Sequence, residues 1–327
     1  MSRDSGSQTG PGHLPIRIGI SSCLLGEKVR FDSGHKHDRY ITDVLGAFFE
    51  FVMVCPEIEV GMGVPREAVR LEGDPDVPRM AGGRTGADWT DRMNRYSHQR
   101  VHRQDLADLS GFILKSRSPS CGMERVRVYV TPNTVRKSGA GLFARALRNR
   151  FPHLPVEEEG RLSDVGLREN FIVRVFAYHR LQRLFAAGFS RGAVVQFHAA
   201  HKYLLLAHSP AHYGRLGRLV AGVKGRAAAD FKEQYRAQFM DALRHRATVK
   251  KNVNVLQHIT GFLRDHLTAA ERDSVAESIA DYRKKLVPLI VPITLVHHFV
   301  HLHDIEYIRD QVYLRPHPKE LMLRNHV

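Results

Sequence analysis

Three cysteines occur in the 327 residues, Cys23, Cys55 and Cys121, and each follows a short apolar run. Cys23 closes I-G-I-S-S-C, Cys55 closes F-V-M-V-C-P-E, and Cys121 lies a few residues beyond F-I-L in K-S-R-S-P-S-C-G. Such runs read as strands. All three thiols therefore stand at strand carboxyl ends, the edge where open α/β sheets bind ligands. If those strands are parallel neighbours the thiols converge, although 32 and 66 residues separate them in sequence. A cysteine that serves only as a small hydrophobe usually sits within an apolar run; these sit at its end, beside Ser, Pro and Gly. Three thiolates without an obvious fourth ligand suit a zinc ion with water in the fourth position, or an iron–sulfur cluster with one iron left open. Spacing does not choose between them. An odd, small number of thiols argues against a disulfide framework.

Other groups gather around these positions. Glu57 follows Cys55 by two residues, where a carboxylate can act as a general base or complement a helix N-terminus. Ser116, Ser118 and Ser120 crowd Cys121 and could hydrogen-bond cluster sulfurs or a substrate; they also suit a tight turn. Gly61, Gly63 and Arg66 lie in G-M-G-V-P-R, a loop whose backbone could approach a substrate closely. Gly26, Arg30 and Asp32 belong to the loop after Cys23.

These positions need a scaffold. Strand-like runs at Ile16–Ile20, Phe51–Val54, Phe112–Leu114 and Val126–Val130 alternate with helical patterns at Tyr40–Phe49, Asp88–Leu109 and Gly141–Arg150. That alternation predicts an α/β domain with a mainly parallel, Rossmann-like sheet. Pro152–Gly160, with three consecutive glutamates, reads as a connector. From Ser163 onward the strand signal disappears. Ser190 could cap a helix carrying Ala193, Val194, Phe197, His201 and Leu204 on one side. Ala228–Arg246 reads as another helix, Thr268–Glu271 as a capping box opening one that runs to Lys285, and 288–304 as a last one. The expected organisation is a flexible tail over 1–14, an α/β domain over 15–160 and an all-α domain over 161–327.

Charge divides the same way. Of a net +15, residues 1–160 carry 23 Lys+Arg against 20 Asp+Glu, and residues 161–327 carry 26 against 14. The basic half could attract nucleic acid or another anionic ligand through Arg244–Arg246, Lys250–Lys251 and Arg283–Lys285. It also holds most of the histidines. His198 with His201, His208 with His212, and the cluster His297, His298, His301 and His303 have helical spacing suited to metal or to packing within a bundle. Phe231, Tyr235 and Phe239 read as a core stripe. The N-terminal segment, Met1–Leu14, lacks an apolar signal region, and the longest apolar run, Leu286–Val296, is too short to span a bilayer. A soluble cytoplasmic protein is expected, with its thiols reduced. The oligomeric state is not legible in the sequence.

Taken together, S-S-C-L-L-G with R-F-D-S-G behind it, V-C-P-E with its Gly-Pro-Arg loop, and K-S-R-S-P-S-C-G resemble the thiouracil desulfidase (TudS-type) family over roughly residues 15–155. F-H-A-A-H-K-Y-L-L-L-A-H-S resembles a YbgA-like helical domain of unassigned role. The first resemblance implies a 4Fe-4S cluster held by Cys23, Cys55 and Cys121 with one open iron. It also implies non-redox hydrolysis of 2-thiouracil, or a related thiolated base, to uracil and hydrogen sulfide. By motif position Glu57 would be the acid/base and Ser118 would orient substrate or water, with Ser116 and Ser120 close by. Two other readings compete: an RNA-binding protein acting on thiolated tRNA, and a zinc Cys₃ hydrolase.

Overall fold

The computed structural model describes residues 15–131 and 133–326; the expected tail over 1–14 lies outside the described residues. The chain forms two compact units, one up to Leu147 and one from Arg148 onward.

The first unit is built on a parallel sheet. Strand β1 (Ile16–Ser21) pairs in parallel with β2 (Phe49–Val54) on one side and with β5 (Gly111–Leu114) on the other. Ile18 faces Phe51 and Gly111 in register, and Ile20 faces Met53 and Ile113. Ile18, Ile20, Phe112 and Ile113 are fully buried, as strands covered on both faces require. A second sheet, which the sequence pattern does not announce, has the order β4-β3-β6-β7, from β3 (Val69–Glu72), β4 (Arg79–Gly82), β6 (Val126–Thr131) and β7 (Thr134–Gly139). The run at Val126–Val130, expected among the parallel strands, belongs here: β6 runs parallel to β3 and antiparallel to β7. β3 and β4 escaped notice because four residues carry little periodicity, and β7, T-V-R-K-S-G, because it is polar and mostly exposed.

Two helical expectations shorten. Tyr40–Phe49 is not one helix but a π-type turn (Tyr40–Val44) and a 3-10 turn (Leu45–Ala47) leading into β2. The pattern over Asp88–Leu109 yields α2 (Thr90–Arg100), then a loop and a short 3-10 turn. Arg100 at its end is buried and held by Glu59 and Asp105, the latter through two bonds of 2.8 and 2.9 Å. Helices α1 (Pro56–Glu59) and α3 (Leu142–Arg150) complete this unit's main elements. Val156–Glu158, expected within a connector, is a short strand, β8.

The rest is helical: α4 (Val165–Ala186), α5 (Arg191–His208), α6 (Pro210–Ala221), α7 (Ala228–Arg244), α8 (Val249–Leu263), α9 (Ala269–Arg283), α10 (Ile290–Leu302) and α11 (Glu306–Arg309). Side-chain caps start five of them. Asp164, Ser190, Ser209 and Thr248 each accept from the backbone N–H three residues on, and Thr268 and Glu271 form a full capping box, each worth about 1 kcal/mol. Phe231, Tyr235 and Phe239 are fully buried and stack at ring separations of 5.6 and 5.7 Å. α4 has no clear apolar stripe; its buried residues, among them Phe171, Ile172 and Val173, run consecutively because neighbours cover more than one face.

Several histidines in this bundle are packed rather than free. His201 stacks on Phe197 at 3.9 Å and donates to the Phe197 carbonyl; His198 meets the Tyr235 hydroxyl at 3.2 Å. Burial lowers His201 to about 3, and His198 and His317 to about 4. These values lie below the ~6.5 of an unfolded histidine, so the unfolded chain takes up protons first as pH falls. Stability is full above about pH 6.5 and is lost from there toward pH 4. Urea melts of the full chain, followed by helical circular dichroism, are expected to shift to lower midpoints over that window. The slope should flatten in His201→Gln; a pH-independent midpoint would contradict the burial argument.

Candidate active site

Each cysteine is positioned by the chain just beyond a strand of the parallel sheet. Cys23 lies in a 3-10 turn (Ser22–Leu25) directly after β1; its carbonyl accepts from Lys36 N–H at 2.8 Å, which folds the following loop back. Cys55 leaves β2 and stands immediately before α1, with its N–H donated to Glu59 Oε1 at 3.0 Å. Beyond β5, Lys115 N–H donates to Ser21 Oγ at 2.9 Å and ties two strand ends together. The chain then turns through Arg117, at a φ of 61°, to reach Cys121.

The three cysteines line one cavity of about 390 Å³ together with Glu57, Arg66, Ser116, Ser118 and Ser120. None is in a disulfide; Cys23 and Cys121 are buried and Cys55 is half-buried. Burial pushes the Cys121 thiol up, with nearby Cys55 and Glu57 adding to the effect, while hydrogen bonds from Ser21 and Ser120 oppose it. Burial likewise raises Cys55. A metal centre would deprotonate such thiols outright on binding them. Among the described lining residues there is no histidine and no fourth cysteine, so the donor set is three soft sulfurs. It fits an iron–sulfur cluster or a thiolate-bound metal with a position left over.

Glu57 is the hub of the polar wall. Its Oε2 meets the Arg66 guanidinium in a buried ion pair, the two side chains being 15% and 6% exposed. Its Oε1 accepts from Ser120 Oγ at 2.8 Å and from Ser118 Oγ at 3.4 Å. Ser118 Oγ in turn accepts the N–H groups of Ser120 and Cys121 at 3.3 and 3.1 Å and lies 2.9 Å from Ser120 Oγ. Ser120 Oγ is 3.7 Å from the Cys121 sulfur. One short turn thus builds the cysteine's own support and links it to the carboxylate.

Known proteins share both halves. Residues 18–159 match the 2-thiouracil desulfurase family, and residues 202–318 match a protein family of unknown function, DUF1722. The uncharacterized protein YbgA of Escherichia coli K12 is 33% identical over 158 residues, 48% of this chain and 94% of its own length. The chain belongs to the YbgA family and carries a 2-thiouracil desulfurase domain in its N-terminal half. A solved structure, the 4Fe-4S-dependent thiouracil desulfidase TudS, is 27% identical, with coverage of 47% of this chain and 97% of that one and a TM-score of 0.38.

Not every expected residue of the desulfurase domain lines the cavity. Gly61 and Gly63 do not. Both take left-handed φ values, 88° and 73°, which a glycine tolerates at little cost. They shape the loop that delivers Arg66, and the Gly63 carbonyl accepts from Arg66 Nη1 at 2.9 Å. Arg66, expected to bind substrate, is committed to Glu57 and to the Val29 and Gly63 carbonyls. Gly26 and Asp32 lie outside the lining, whereas Arg30 is part of it. Sequence reading missed Phe31, Lys36 and Lys115. Lys115 heads the K-S-R-S-P-S-C-G motif, and its Nζ holds Ser116 Oγ at 3.0 Å.

Among the described residues of the YbgA-family domain, no helical histidine pair makes a clear metal site. His208 donates to the His245 carbonyl, and His297 and His301 contact each other at 3.0 Å. His212, Asp241 and His245 offer ligand atoms within 4.8 Å of one another. His212 Nε2, however, is already engaged by Asp241 Oδ2 at 2.8 Å, and the Arg215 guanidinium stands 2.7 Å from it, a cation where an ion would sit. Of the basic runs, Lys251 is spent on the His208 and Arg246 carbonyls at 2.7 and 3.1 Å.

Helix α3 clamps the cysteine turn from below. Gly141, Leu142 and Ala144 donate their N–H groups to the carbonyls of Gly122, Pro119 and Ser120 at 2.8, 3.1 and 3.1 Å. A Cβ on Gly141 would lie 2.4 Å from the Ser120 carbonyl oxygen and 2.8 Å from Cys121 N, both backbone atoms that cannot step aside cheaply. Gly141→Ala is expected to destabilise the desulfurase domain by about 1–3 kcal/mol. Gly225→Ala, with open space around it, should stay within about 0.5 kcal/mol. Denaturant midpoints of the two variants check this; equal midpoints would refute the clamp.

Proposed function

We propose that the desulfurase domain removes the sulfur of 2-thiouracil, or of a related thiolated base, by hydrolysis. The cofactor in this reading is a 4Fe-4S cluster held by Cys23, Cys55 and Cys121 with one iron left open. The observation that carries it is that three cysteines distant in sequence and the Glu57–serine network line a single cavity. The match to the 2-thiouracil desulfurase family supports it. When bound, the cluster would supply a soft Lewis-acid position for a thiocarbonyl sulfur. The overall change is C=S plus water to C=O plus hydrogen sulfide, with no net oxidation or reduction.

The chain's own residues supply binding and proton transfer. Arg66 fixes one carboxylate oxygen of Glu57, leaving Oε1 to take a proton from a water in the cavity. Ser120 O–H already donates to that oxygen. Ser118, anchored by two backbone N–H groups, can direct its own proton only outward, to Ser120 or Glu57, and so orients the wall that faces substrate. Ser116 and the exposed edge of Phe31 complete the lining toward a planar base. Thiolate ligation of this kind needs a reducing compartment, so the cytoplasm is the location this reading implies. No helix among the described residues is long and apolar enough to cross a membrane.

Anaerobically prepared protein is expected to bind iron and acid-labile sulfide and to release hydrogen sulfide and uracil from 2-thiouracil. Glu57→Gln should keep the visible absorption of the cluster and lose about 10²–10⁴ in turnover. Colourless protein holding zinc would replace this reading with a Cys₃ hydrolase, and a Glu57→Gln variant of unchanged turnover would remove Glu57 from the chemistry.

A further inference from the structure

The YbgA-family domain has a cavity of its own, about 150 Å³ in volume. Gly166, Glu169 and Asn170 reach it from the first two turns of α4, and Val249 and Asn252 from the start of α8. Part of its wall is a satisfied polar chain: Tyr313 O–H donates to Asn252 Oδ1 at 3.2 Å, and Asn252 Nδ2 to the Tyr282 hydroxyl at 3.1 Å.

Two other lining groups each keep one polar edge open to the cavity. Arg324 is 6% exposed. Its Nε donates to Glu169 Oε1 at 3.2 Å and its Nη1 to the Tyr313 carbonyl at 2.7 Å, while Nη2 has no hydrogen-bond partner among the described residues. His208 is 4% exposed and sets Nδ1 against the His245 carbonyl at 2.6 Å. A carbonyl only accepts, so the proton sits on Nδ1 and Nε2 keeps its lone pair. That Nε2 also has no hydrogen-bond partner among the described residues. Neither atom is sealed from solvent, so each presents an open donor or acceptor edge to the cavity.

Arg246 adds a second guanidinium. Gly166 makes room for it, since a Cβ there would lie 2.1 Å from Arg246 Nη2. The carboxylate it faces, Asp164, is 3.9 Å away, beyond hydrogen-bond distance. Against two guanidiniums the described lining sets one carboxylate, Glu169, which Arg324 Nε already holds.

We infer that this cavity binds a small ligand carrying an oxyanion, a carboxylate or a phosphate, next to an N–H or O–H donor. The oxyanion accepts from Arg324 Nη2 and Arg246, and the donor meets His208 Nε2. A charged acceptor suits an open guanidinium edge better than a neutral one does, and the N-terminal turn of α8 adds its positive end.

The test uses the full chain, titrated with inorganic phosphate and separately with glycolate, a carboxylate with an adjacent hydroxyl, against chloride of matched ionic strength. Thermal unfolding of the helical unit is the readout. Saturable binding raises the midpoint by about 5–10 °C at a hundredfold excess over Kd. Whichever anion saturates names the oxyanion class. Arg324→Gln would also cut the bonds to Glu169 and Tyr313, so the exposed Arg246→Gln is the variant that reports binding. It should weaken the response at least tenfold, while Lys284→Gln, on an exposed basic stretch, should not. A rise that never saturates with either anion, or one equal in Arg246→Gln, overturns the inference.

Discussion

The parallel pairing of β1 with both β2 and β5 is the constraint on which the site depends. Parallel neighbours end on the same edge of the sheet, so the loops leaving their carboxyl ends meet there. Cys23, Cys55 and Cys121 each come within a few residues of such an end and line one cavity. Parallel neighbours also require long crossovers. That is why the three cysteines are dispersed along the sequence, and why no local cysteine motif marks the cavity.

The same edge dictates how the polar groups are held. A carboxylate as enclosed as Glu57 needs compensation, and Arg66 supplies it from the loop after α1. With one oxygen so fixed, the other faces the serines of the cysteine turn. That turn does two jobs: Ser118 caps the backbone at Ser120 and Cys121, and its carbonyls receive the first N–H groups of α3. At Gly141 the two chain segments leave no room for a Cβ. The rigidity of the turn and its chemistry are therefore inseparable.

The helical domain obeys different physics. Its stability comes from capped helices around an aromatic core, and its basic excess is not only a solvated face. Arg174 and Arg180 are buried deeply enough that burial lowers both to about 10. Arg324 and His208 line a cavity within the helical domain itself.

Local features were legible in the sequence. Strand, turn and cysteine succeed each other within a few residues, Glu57 stands in Cys-Pro-Glu, and the caps at Ser190 and Thr268 act over three residues. Each of these is decided by neighbours in the chain, so periodicity and residue type suffice to read them. Features that join distant segments were not legible. Only the fold sent Val126–Val130 to a second sheet, paired Arg66 with Glu57, left Gly61 and Gly63 outside the cavity, and set Arg324 beside Glu169. Strand partners, buried ion pairs and cavity walls are chosen by long-range packing, in which many segments compete for one position. A single chain's local pattern does not record which of them won.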